Sequence, residues 1–257
     1  MLECVLPLVK TWPDSKWVTI GDGNFGSDAF FLQTHGVAVT ATSISSDTLE
    51  IARARGWIDK YAIENAEELN FPDDSVDFIL CKEALHHFPR PLLGFYEMYR
   101  AAKNGIVLIE PIEGGARLGS WLKAFAKKAL RGDSACQFEP CGNFLYRLSI
   151  REISKMLTAL GHRRFAWKGI NDFYHDRLAG ASLAPPSTGA LLTRLGIAAQ
   201  DMLCQLRLLN FGLAAVICFK QEPTQQLLIS LRREGFTIID LPRNPYMKDM
   251  KDLCRSA

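Results

Sequence analysis

The chain has 257 residues, which is long enough for one α/β domain with insertions and for a sizeable buried core. Hydrophobic residues make up 48% and charged residues 23% of the sequence, as in an ordinary globular protein. The formal net charge is only +2, which argues against the strong positive field that marks many nucleic-acid-binding and membrane-binding proteins.

Strand and helix signals alternate along the first half of the chain. β-branched or fully apolar runs predict strands, and runs with one apolar face predict the helices between them. The strands predicted in this half are 17–20, 37–42, 76–81 and 105–109, and the helices are 27–35, 46–55 and 91–103. The alternation predicts an α/β fold with a Rossmann-like, doubly wound, mostly parallel sheet of seven strands and helical insertions. Such a sheet binds ligands at the carboxyl ends of its strands.

The second half of the chain departs from a minimal α/β domain. Residues 112–147 and 170–212 are predicted insertions. The other elements predicted here are a helix opened by the capping box Ser149/Glu152, a strand at 163–169, a long amphipathic helix that Gly212 stops, and a strand at 214–220. We assign residues 1–220 to one domain and residues 221–257, with a short helix and strand of their own, to a C-terminal tail.

A glycine-rich loop connects the first predicted strand to the first predicted helix. Residues 21–26 read Gly-Asp-Gly-Asn-Phe-Gly, a literal G-x-G-x-x-G. Such a loop brings backbone N–H groups and a helix N-terminus close to a ligand, although a purely structural turn can have the same pattern. In dinucleotide and S-adenosylmethionine sites an acid normally ends the next strand and holds ribose hydroxyls. Here that strand ends in Thr42-Ser43-Ile44-Ser45, without an acid.

A second segment is more specific than the glycine loop. Residues 65–77 read Asn-Ala-Glu-Glu-Leu-Asn-Phe-Pro-Asp-Asp-Ser-Val-Asp, and residues 85–87 read Leu-His-His. The segment resembles the class I S-adenosylmethionine-dependent methyltransferases, above all the large branch with a D-A-E-x-L-P-F-x-D-x-S-F-D stretch and an L-H-H strand end. The resemblance covers residues 17–111 well and the rest in outline. The GDGxxG loop and the CKExxHHFPRP stretch are similar to one sub-branch, associated with bacterial surface-polysaccharide and small-molecule modification.

The resemblance implies an enzyme with S-adenosylmethionine as its cofactor, and it implies where the cofactor lies. The glycine loop would contact the methionine part, two residues after the second strand would lie near ribose and adenine, two further residues would meet the adenine edge, and a lysine would lie beside the sulfonium. In that order, the implied residues are Gly21, Asp22, Gly23 and Gly26; Ser43 and Ile44; Asn65 and Ala66; and Lys82.

Two departures from the family pattern concern the same cofactor site. The family usually has an acid at the positions of Thr19 and Ser43. Asp22 or Asp47 could compensate, since either could accept a hydrogen bond locally. Without such compensation the binding free energy of the cofactor would be weaker by about 1.5–3 kcal/mol, the value of one charged hydrogen bond. A vestigial site that no longer binds the cofactor is the alternative.

The candidate catalytic residues are His86, His87 and Glu83, which follow the strand 76–81. One histidine could serve as the base for a hydroxyl acceptor that is held in line with the methyl group. Alternatively, His87 packs under the following proline-rich loop and His86 is a polar wall residue. Glu83 could orient a histidine or accept a substrate hydroxyl, or it could form a salt bridge with Lys82 or Arg90. Glu110 ends the next strand, where it could contact the acceptor or cap a helix.

The insertion 112–147 is predicted to face the acceptor, and residues 170–212 are predicted to complete the acceptor side or lid. The aromatic and basic residues of the first insertion could form a wall for a polar ring, or they could be an ordinary cover for the sheet. The residues considered for this wall, including Asn143 and the nearby Arg151, are Phe138, Asn143, Phe144, Tyr146, Arg147 and Arg151. Residues 121–131 predict a basic amphipathic helix, interpreted as a lid with a solvated basic face or as a peripheral contact with anionic lipid. The sequence has no cluster that resembles the acids of metal-dependent O-methyltransferases, so we expect no metal.

We therefore predict a methyltransferase that methylates a hydroxyl oxygen of a small molecule or carbohydrate acceptor. An NADP-dependent oxidoreductase is one alternative, because Arg53 or Arg55 could bind a 2′-phosphate, but a Tyr-x-x-x-Lys pair is lacking. A non-catalytic methyltransferase-like interaction module is another, favoured by the two missing acids. The balanced charge disfavours a nucleic-acid substrate. We expect a monomer or homodimer.

The cysteines and the N-terminus both suggest a cytoplasmic protein. The seven cysteines are an odd number and include no C-x-x-C pair, which indicates buried thiols in a reducing compartment. The N-terminus carries Glu3 and no basic segment of a secretory signal. The longest apolar run, 211–219, is too short to span a bilayer.

Overall fold

The computed structural model describes residues 1–114, 138, 142–171 and 188–243 of the chain. Within these ranges, eight strands form one sheet. The strands are β1 (Lys16–Ile20), β2 (Ala38–Ser43), β3 (Tyr61–Ile63), β4 (Val76–Lys82), β5 (Ala102–Pro111), β6 (Arg164–Ile170), β7 (Leu213–Phe219) and β8 (Thr237–Asp240). The α-helices are α1 (Leu6–Thr11), α2 (Ser27–Thr34), α3 (Asp47–Ala54), α4 (Pro91–Ala101), α5 (Ile150–Ala159), α6 (Thr188–Gln205) and α7 (Gln225–Arg233).

The strand order is β3-β2-β1-β4-β5-β7-β6-β8. Strands β1 to β5 run parallel to one another, whereas β7 is antiparallel to both of its neighbours and β8 is antiparallel to β6. The order reverses at β1, where the chain crosses from one half of the sheet to the other. The predicted Rossmann-like, mostly parallel fold is therefore confirmed, and its ligand site is expected at the carboxyl edge beside β1 and β4.

The sheet has eight strands rather than the predicted seven. Strand β3 gives no clear sequence signal, because it has only three residues and none of them is buried. Strand β8 lies in the segment that was assigned to a tail, and it pairs with β6 from Arg164↔Asp240 to Trp167↔Thr237. Residues 225–240 thus complete the sheet instead of forming a separate extension.

Both faces of the sheet are buried, so the central strands are almost continuously apolar. One core, which includes Trp17, Phe78 and Leu231, lies under α1, α2, α3 and α7. The other, which includes Phe95 and Phe165, lies under α4 and α5. Because helices cover both faces, the carboxyl edge of the parallel strands is left for a ligand.

Two helices in the second half differ in how well the sequence predicted their ends. Helix α5 begins with the predicted capping box, in which Ser149 and Glu152 each bind the other residue's backbone N–H. Helix α6 ends at Gln205, seven residues before the predicted stop at Gly212. Much of its predicted apolar face is exposed, with Leu191 and Leu195 each at 57%. In the described parts of the chain, no helix combines the length and apolarity needed to cross a membrane.

Candidate functional site

The glycine loop turns sharply between β1 and α2 and packs closely against neighbouring segments. Gly21 has a φ of +72°, and a Cβ added there would lie 2.4 Å from the Cβ of Ala84. Gly23 faces Ser43, whose Oγ would be 3.2 Å from an added Cβ, and Gly26 precedes α2 with a φ of +64°. Glycine at position 21 therefore satisfies both a left-handed backbone and a contact that no side chain could fit.

Asp22 is a buried acid inside this loop. Its carboxylate accepts hydrogen bonds from the backbone N–H of Asp28 (3.2 Å), the N–H of Ala29 (2.9 Å) and the hydroxyl of Thr19 (2.9 Å). It thereby caps the start of α2 and pairs with Thr19, where the family usually has an acid. Burial, reinforced by nearby Asp28, raises the pKa of Asp22 to about 7, although the three donors oppose the shift.

Two adjoining cavities open at the carboxyl ends of β1, β2 and β4. The smaller cavity, of about 350 Å³, is lined by Gly21 and by polar and charged residues, namely Asp22, Asn24, Ser27, Asp28, Lys82, Glu83, His86 and His87. The larger cavity, of about 550 Å³, is more apolar and is lined by Gly21, Ser43, Ile44, Glu64, Asn65, Ala66, Glu67, Glu83, Ala84, His87, Phe88, Pro89 and Asn143. Three residues, Gly21, Glu83 and His87, belong to both, so the cavities form one continuous cleft.

The cleft brings together most of the residues predicted from the sequence. Each of the three candidate catalytic residues lines it, and so do seven of the nine implied cofactor residues. Of the other two, Gly23 packs against Ser43, and Gly26 packs against the side chain of Ile58. Asp28 was not predicted, although its position in the first turn of the helix after a glycine loop is a usable signal.

Charged residues cluster on the wall of the smaller cavity. Lys82 Nζ lies 3.4 Å from Asp28 Oδ1 and 3.4 Å from Glu83 Oε2. Burial raises the pKa of Asp28. Burial opposes the charged form of Lys82, but the two carboxylates outweigh it and hold the pKa of Lys82 above its ordinary value. We refer to these three residues as the Asp28–Lys82–Glu83 cluster.

Glu83 adopts an unusual backbone conformation at the junction of the two cavities. Its φ is +49°, which costs energy in a residue that has a side chain. A hydrogen bond from its backbone N–H to the carbonyl of Ile109 (2.8 Å) holds the chain in this conformation. The strained turn directs the segment after β4 across the end of β5 and places the histidine pair over the cleft.

Glu110 organises the histidine pair from the end of β5. Its Oε1 accepts the backbone N–H groups of Ala84 and Leu85, each at 2.9 Å, and its Oε2 lies 2.6 Å from His86 Nδ1. Because a carboxylate only accepts, the neutral His86 ring carries its proton on Nδ1 and presents Nε2 as an acceptor. Glu110, rather than Glu83, is thus the carboxylate that orients a histidine. The rings of His86 and His87 lie 3.9 Å apart.

The end of the predicted acceptor-side insertion packs against this histidine pair. The N–H of Tyr146 donates to the carbonyl of His86 (3.1 Å), and the Asn143 side chain donates to the carbonyl of His87 (3.3 Å). The Phe138 and Phe144 rings meet edge to face, 5.4 Å apart, and both are more than 45% exposed. Asn143 lines the larger cavity. The predicted basic helix at 121–131 lies outside the described residues.

The donor set of the cleft fits S-adenosylmethionine. Ile44, Ala66, Phe88 and Pro89 give the larger cavity apolar walls for a flat base, and Asn65 supplies polar groups at its edge. The smaller cavity offers charges of both signs for an amino-acid end. Gly21, which lines both cavities, adds no side chain of its own at their junction. Among the described residues, no group of three His, Cys, Asp or Glu side chains could hold a metal ion.

Comparisons with known proteins agree with this geometry. Residues 18–109 match the family model described as a methyltransferase domain. Over 100 residues the chain is 30% identical to 2-methyl-6-phytyl-1,4-hydroquinone methyltransferase of Synechocystis sp., a match that covers 38% of this chain and 31% of that protein. The chain therefore spans less than a third of the length of this curated relative.

Solved structures show the same fold at low sequence identity. Phosphoethanolamine N-methyltransferase 2 of Haemonchus contortus, in complex with S-adenosylmethionine, is 15% identical with a TM-score of 0.53. The alignment covers 86% of this chain and 52% of that one. The [4+2]-cyclase SpnF is 16% identical with a TM-score of 0.53, and the alignment covers 86% of this chain and 80% of SpnF. Residues 18–109 are thus similar to a methyltransferase domain, and the sheet that contains them has the fold of these solved structures.

Proposed function

We propose that the protein is an S-adenosylmethionine-dependent methyltransferase that methylates a hydroxyl oxygen of a small molecule, glycans included. The observation that carries the proposal is the His86–Glu110 pair, whose histidine lines the same cavity as residues of the glycine loop. The Synechocystis relative is named for a hydroquinone, a compound with two aromatic hydroxyl groups. Because one fold supports different reactions, the residues of the cleft support the proposal more strongly than the fold does.

The binding residues divide the cofactor between the two cavities. Ile44, Asn65 and Ala66 would hold the adenine in the larger cavity, and Ser43 would lie near the ribose. The glycine loop and Lys82 would hold the methionine part in the smaller cavity. When bound, S-adenosylmethionine would supply a methyl group on a positively charged sulfur, and the neutral thioether S-adenosylhomocysteine would be the leaving group when an acceptor oxygen takes that methyl group.

His86 is the residue suited to take the proton of the acceptor hydroxyl. Glu110 fixes the Nδ1–H tautomer, so Nε2 is available to accept a proton, and the imidazolium that forms is stabilised by the same carboxylate. The backbone of His86 is held by Tyr146, which limits its movement during the transfer. His87 lines both cavities and contributes to the wall beside the reacting groups.

The first experiment is calorimetric titration of the full chain with S-adenosylmethionine, S-adenosylhomocysteine and, as a control, NADPH. We expect micromolar binding of the first two compounds and its loss in Gly23→Arg, because the new side chain would enter the space beside Ser43. Binding of NADPH alone would support an oxidoreductase instead. Binding of none of the three would indicate a non-catalytic module.

The second experiment tests the methylated atom. The protein is incubated with methyl-labelled S-adenosylmethionine and a panel of hydroquinones, catechols and hexoses, and the position of the label is determined by NMR. We expect O-methyl products, with a rate about 10²–10⁴-fold lower in His86→Asn because the base is lost. The affinity for S-adenosylhomocysteine should change by less than about threefold. Label on carbon or nitrogen alone would overturn the O-methylation proposal.

A further inference from the structure

Helix α6 exposes the apolar face that its sequence pattern would bury. Leu191 and Leu195 are each 57% exposed, and Met202 is 56% exposed. Leu206 is 62% exposed and continues the last turn of the helix, because its N–H donates to the carbonyl of Met202 (3.0 Å). With the exposed Ala198, these side chains recur every three or four residues and therefore share one side of the helix. We call Leu191, Leu195, Ala198, Met202 and Leu206 the α6 stripe.

The length and spacing of the α6 stripe distinguish it from scattered surface leucines. It extends from Leu191 to Leu206, which is about 22 Å along a helix. Contiguous apolar surface of this extent marks an interaction site on a folded chain. Steps of three and four residues are also those of the a/d seam through which two helices pack along their length. The kind of partner that fits the stripe is therefore another helix.

The order of the side chains makes the stripe complementary to a second copy of itself. We consider two α6 helices that lie antiparallel about a two-fold axis just after Ala198. Leu191 of one copy then meets Leu206 of the other, and Leu195 meets Met202. Large apolar side chains thus face each other along both halves of the stripe. The small side chain of Ala198 lies at the axis, where it lets the two backbones approach closely.

The charged side chains beside the stripe have the same symmetry. Arg194 and Asp201 lie on one flank of it, two helical turns apart, and like flanks meet in an antiparallel pair. In the register described, Arg194 of each copy is displaced from Asp201 of the other by only about 3 Å along the axis. Within the described ranges neither residue forms an ion pair, so two symmetric ion pairs can form between the copies.

The anchoring of α6 holds the stripe outward. The Asn171 amide donates to Asp201 Oδ1 (2.9 Å), and its oxygen accepts the N–H of Gly212 (3.1 Å), which ties the helix to the end of β6. The helix buries Ala190 and Cys204 on the side away from the stripe. The exposed face is thus presented by a helix that is fixed at its other face and at its C-terminal end.

A lipid surface fits this helix less well than a second copy does. Helices that lie on anionic membranes are rich in lysine and arginine along their polar face. Helix α6 carries one arginine and one aspartate, Arg194 and Asp201. A pair of opposite charges complements its own two-fold copy, whereas it gives an anionic surface no net attraction.

We propose that the protein forms a two-fold symmetric homodimer through the α6 stripe, with antiparallel α6 helices and Arg194–Asp201 ion pairs between the copies. This goes beyond the proposed function and does not depend on it, because no residue that lines the two described cavities belongs to α6. The contact joins the copies without using the residues assigned to the cofactor or to His86.

Sedimentation velocity of the full chain over a range of concentrations tests the dimer. We expect a reversible monomer–dimer equilibrium with a dissociation constant in the micromolar range or tighter. Leu195→Glu should weaken it at least about tenfold, because a carboxylate would be buried in the apolar seam. Ile229→Glu, at an exposed side chain of α7, is the matched control and should leave it unchanged. Circular dichroism verifies that both variants are folded.

Charge reversal tests the antiparallel register. Arg194→Glu and Asp201→Lys should each weaken self-association about three- to tenfold, because each places like charges opposite one another in both pairs. Mixed in equal amounts, the two variants should associate with each other about as strongly as the wild type does, since opposite charges then meet in both pairs. The double variant should also recover self-association, because it exchanges the two charges.

Three results would overturn the proposal, and none of them touches the proposed function. The first is a wild-type chain that stays monomeric up to about 1 mM. In that case, binding to vesicles of phosphatidylcholine and phosphatidylglycerol that is lost in Leu195→Glu would assign the stripe to a lipid surface. The second is a dimer that Leu195→Glu leaves intact, which would place the contact elsewhere. The third is a mixture of the two charge variants that associates no better than either variant alone.

Discussion

Single residues in the cleft act through partners that are distant in sequence. Glu110 reaches back 24 positions to His86 and also holds the turn between β4 and α4 through two backbone N–H groups. A carboxylate in this position sets which nitrogen of the imidazole carries the proton. The role of His86 therefore depends on a residue that belongs to another strand.

Glu110→Gln should lower the rate of methyl transfer nearly as much as His86→Asn. The glutamine amide can donate to His86 Nδ1, which would move the ring proton to Nε2 and remove the acceptor that faces the cleft. Steady-state kinetics should show a fall in kcat of about 10²-fold or more, with S-adenosylhomocysteine affinity unchanged. Glu113→Gln, three positions along the chain at an exposed side chain, is the control. Full activity of Glu110→Gln would contradict the orienting role.

Asp22 should make the stability of the fold fall as the pH rises from about 4 to about 7. Its pKa is raised from 3.8 to about 7 in the folded chain, so the folded state binds more protons than the unfolded state in this interval. The expected slope is up to about 1.4 kcal/mol per pH unit from this residue. Asp22→Asn should remove it, because the amide does not titrate.

Urea unfolding at pH 5 and pH 7.5 would measure this difference. The comparison uses slopes with pH rather than absolute stabilities, because the substitution also alters the cap of α2. Asp14→Asn changes an exposed acid and should leave the slope as in the wild type. Parallel stability curves for wild type and Asp22→Asn would contradict the pKa assignment.

At the scale of elements, the site depends on how close the segment after β4 lies to the loop after β1. Gly21→Ala should abolish tight S-adenosylhomocysteine binding, because its Cβ would overlap that of Ala84 and displace the turn that carries Glu83 and the histidines. Gly36→Ala is a matched control, since Gly36 has a φ of +80° but open space around it. It should cost about 1–2 kcal/mol of stability and leave binding intact. Calorimetry combined with thermal unfolding separates the two effects.

Elements with strong signals in neighbouring residues could be predicted from the sequence, but side-chain contacts between distant residues could not. The capping box of α5 and the glycine loop are encoded in neighbouring residues, so their prediction from sequence was possible. Strand β3 is short and poorly buried, so it lacks a pattern. The contacts of Glu110 with His86 and of Lys82 with Asp28 span 24 and 54 positions, and no periodicity reports such pairs. The sequence therefore predicts which segments meet at the site and offers the neighbouring pair Lys82–Glu83, but it does not predict which side chains pair across long separations.

At the scale of the whole molecule, the last segment is part of the core. Helix α7 is capped by Thr224, whose side chain accepts the N–H of Leu227, and it buries Leu227 and Leu231 against the sheet and α1. Strand β8 covers the edge of β6. The stability of the cleft is therefore linked to residues on the far side of the fold.

Leu231→Ala should destabilise the whole protein by about 2–5 kcal/mol, the usual cost of a cavity at a fully buried leucine. Ile229→Ala lies in the same helix at a side chain that is 41% exposed, so its effect should be within about 0.5–1 kcal/mol. Chemical unfolding followed by tryptophan fluorescence gives both values. Similar values for the two variants would show that this helix is not part of the cooperative core.

The position of β7 between β5 and β6 has a consequence for biosynthesis. Roughly a hundred residues separate Pro111, the end of β5, from Leu213, the start of β7. At about 5–20 residues per second, a ribosome needs on the order of 5–20 seconds to make that segment. During this time the edge of β5 that pairs with β7 in the folded protein, with its backbone N–H and C=O groups, lacks that partner strand. The nascent chain must therefore be protected, by its own later helices or by a chaperone, until its penultimate strand emerges and the sheet can close.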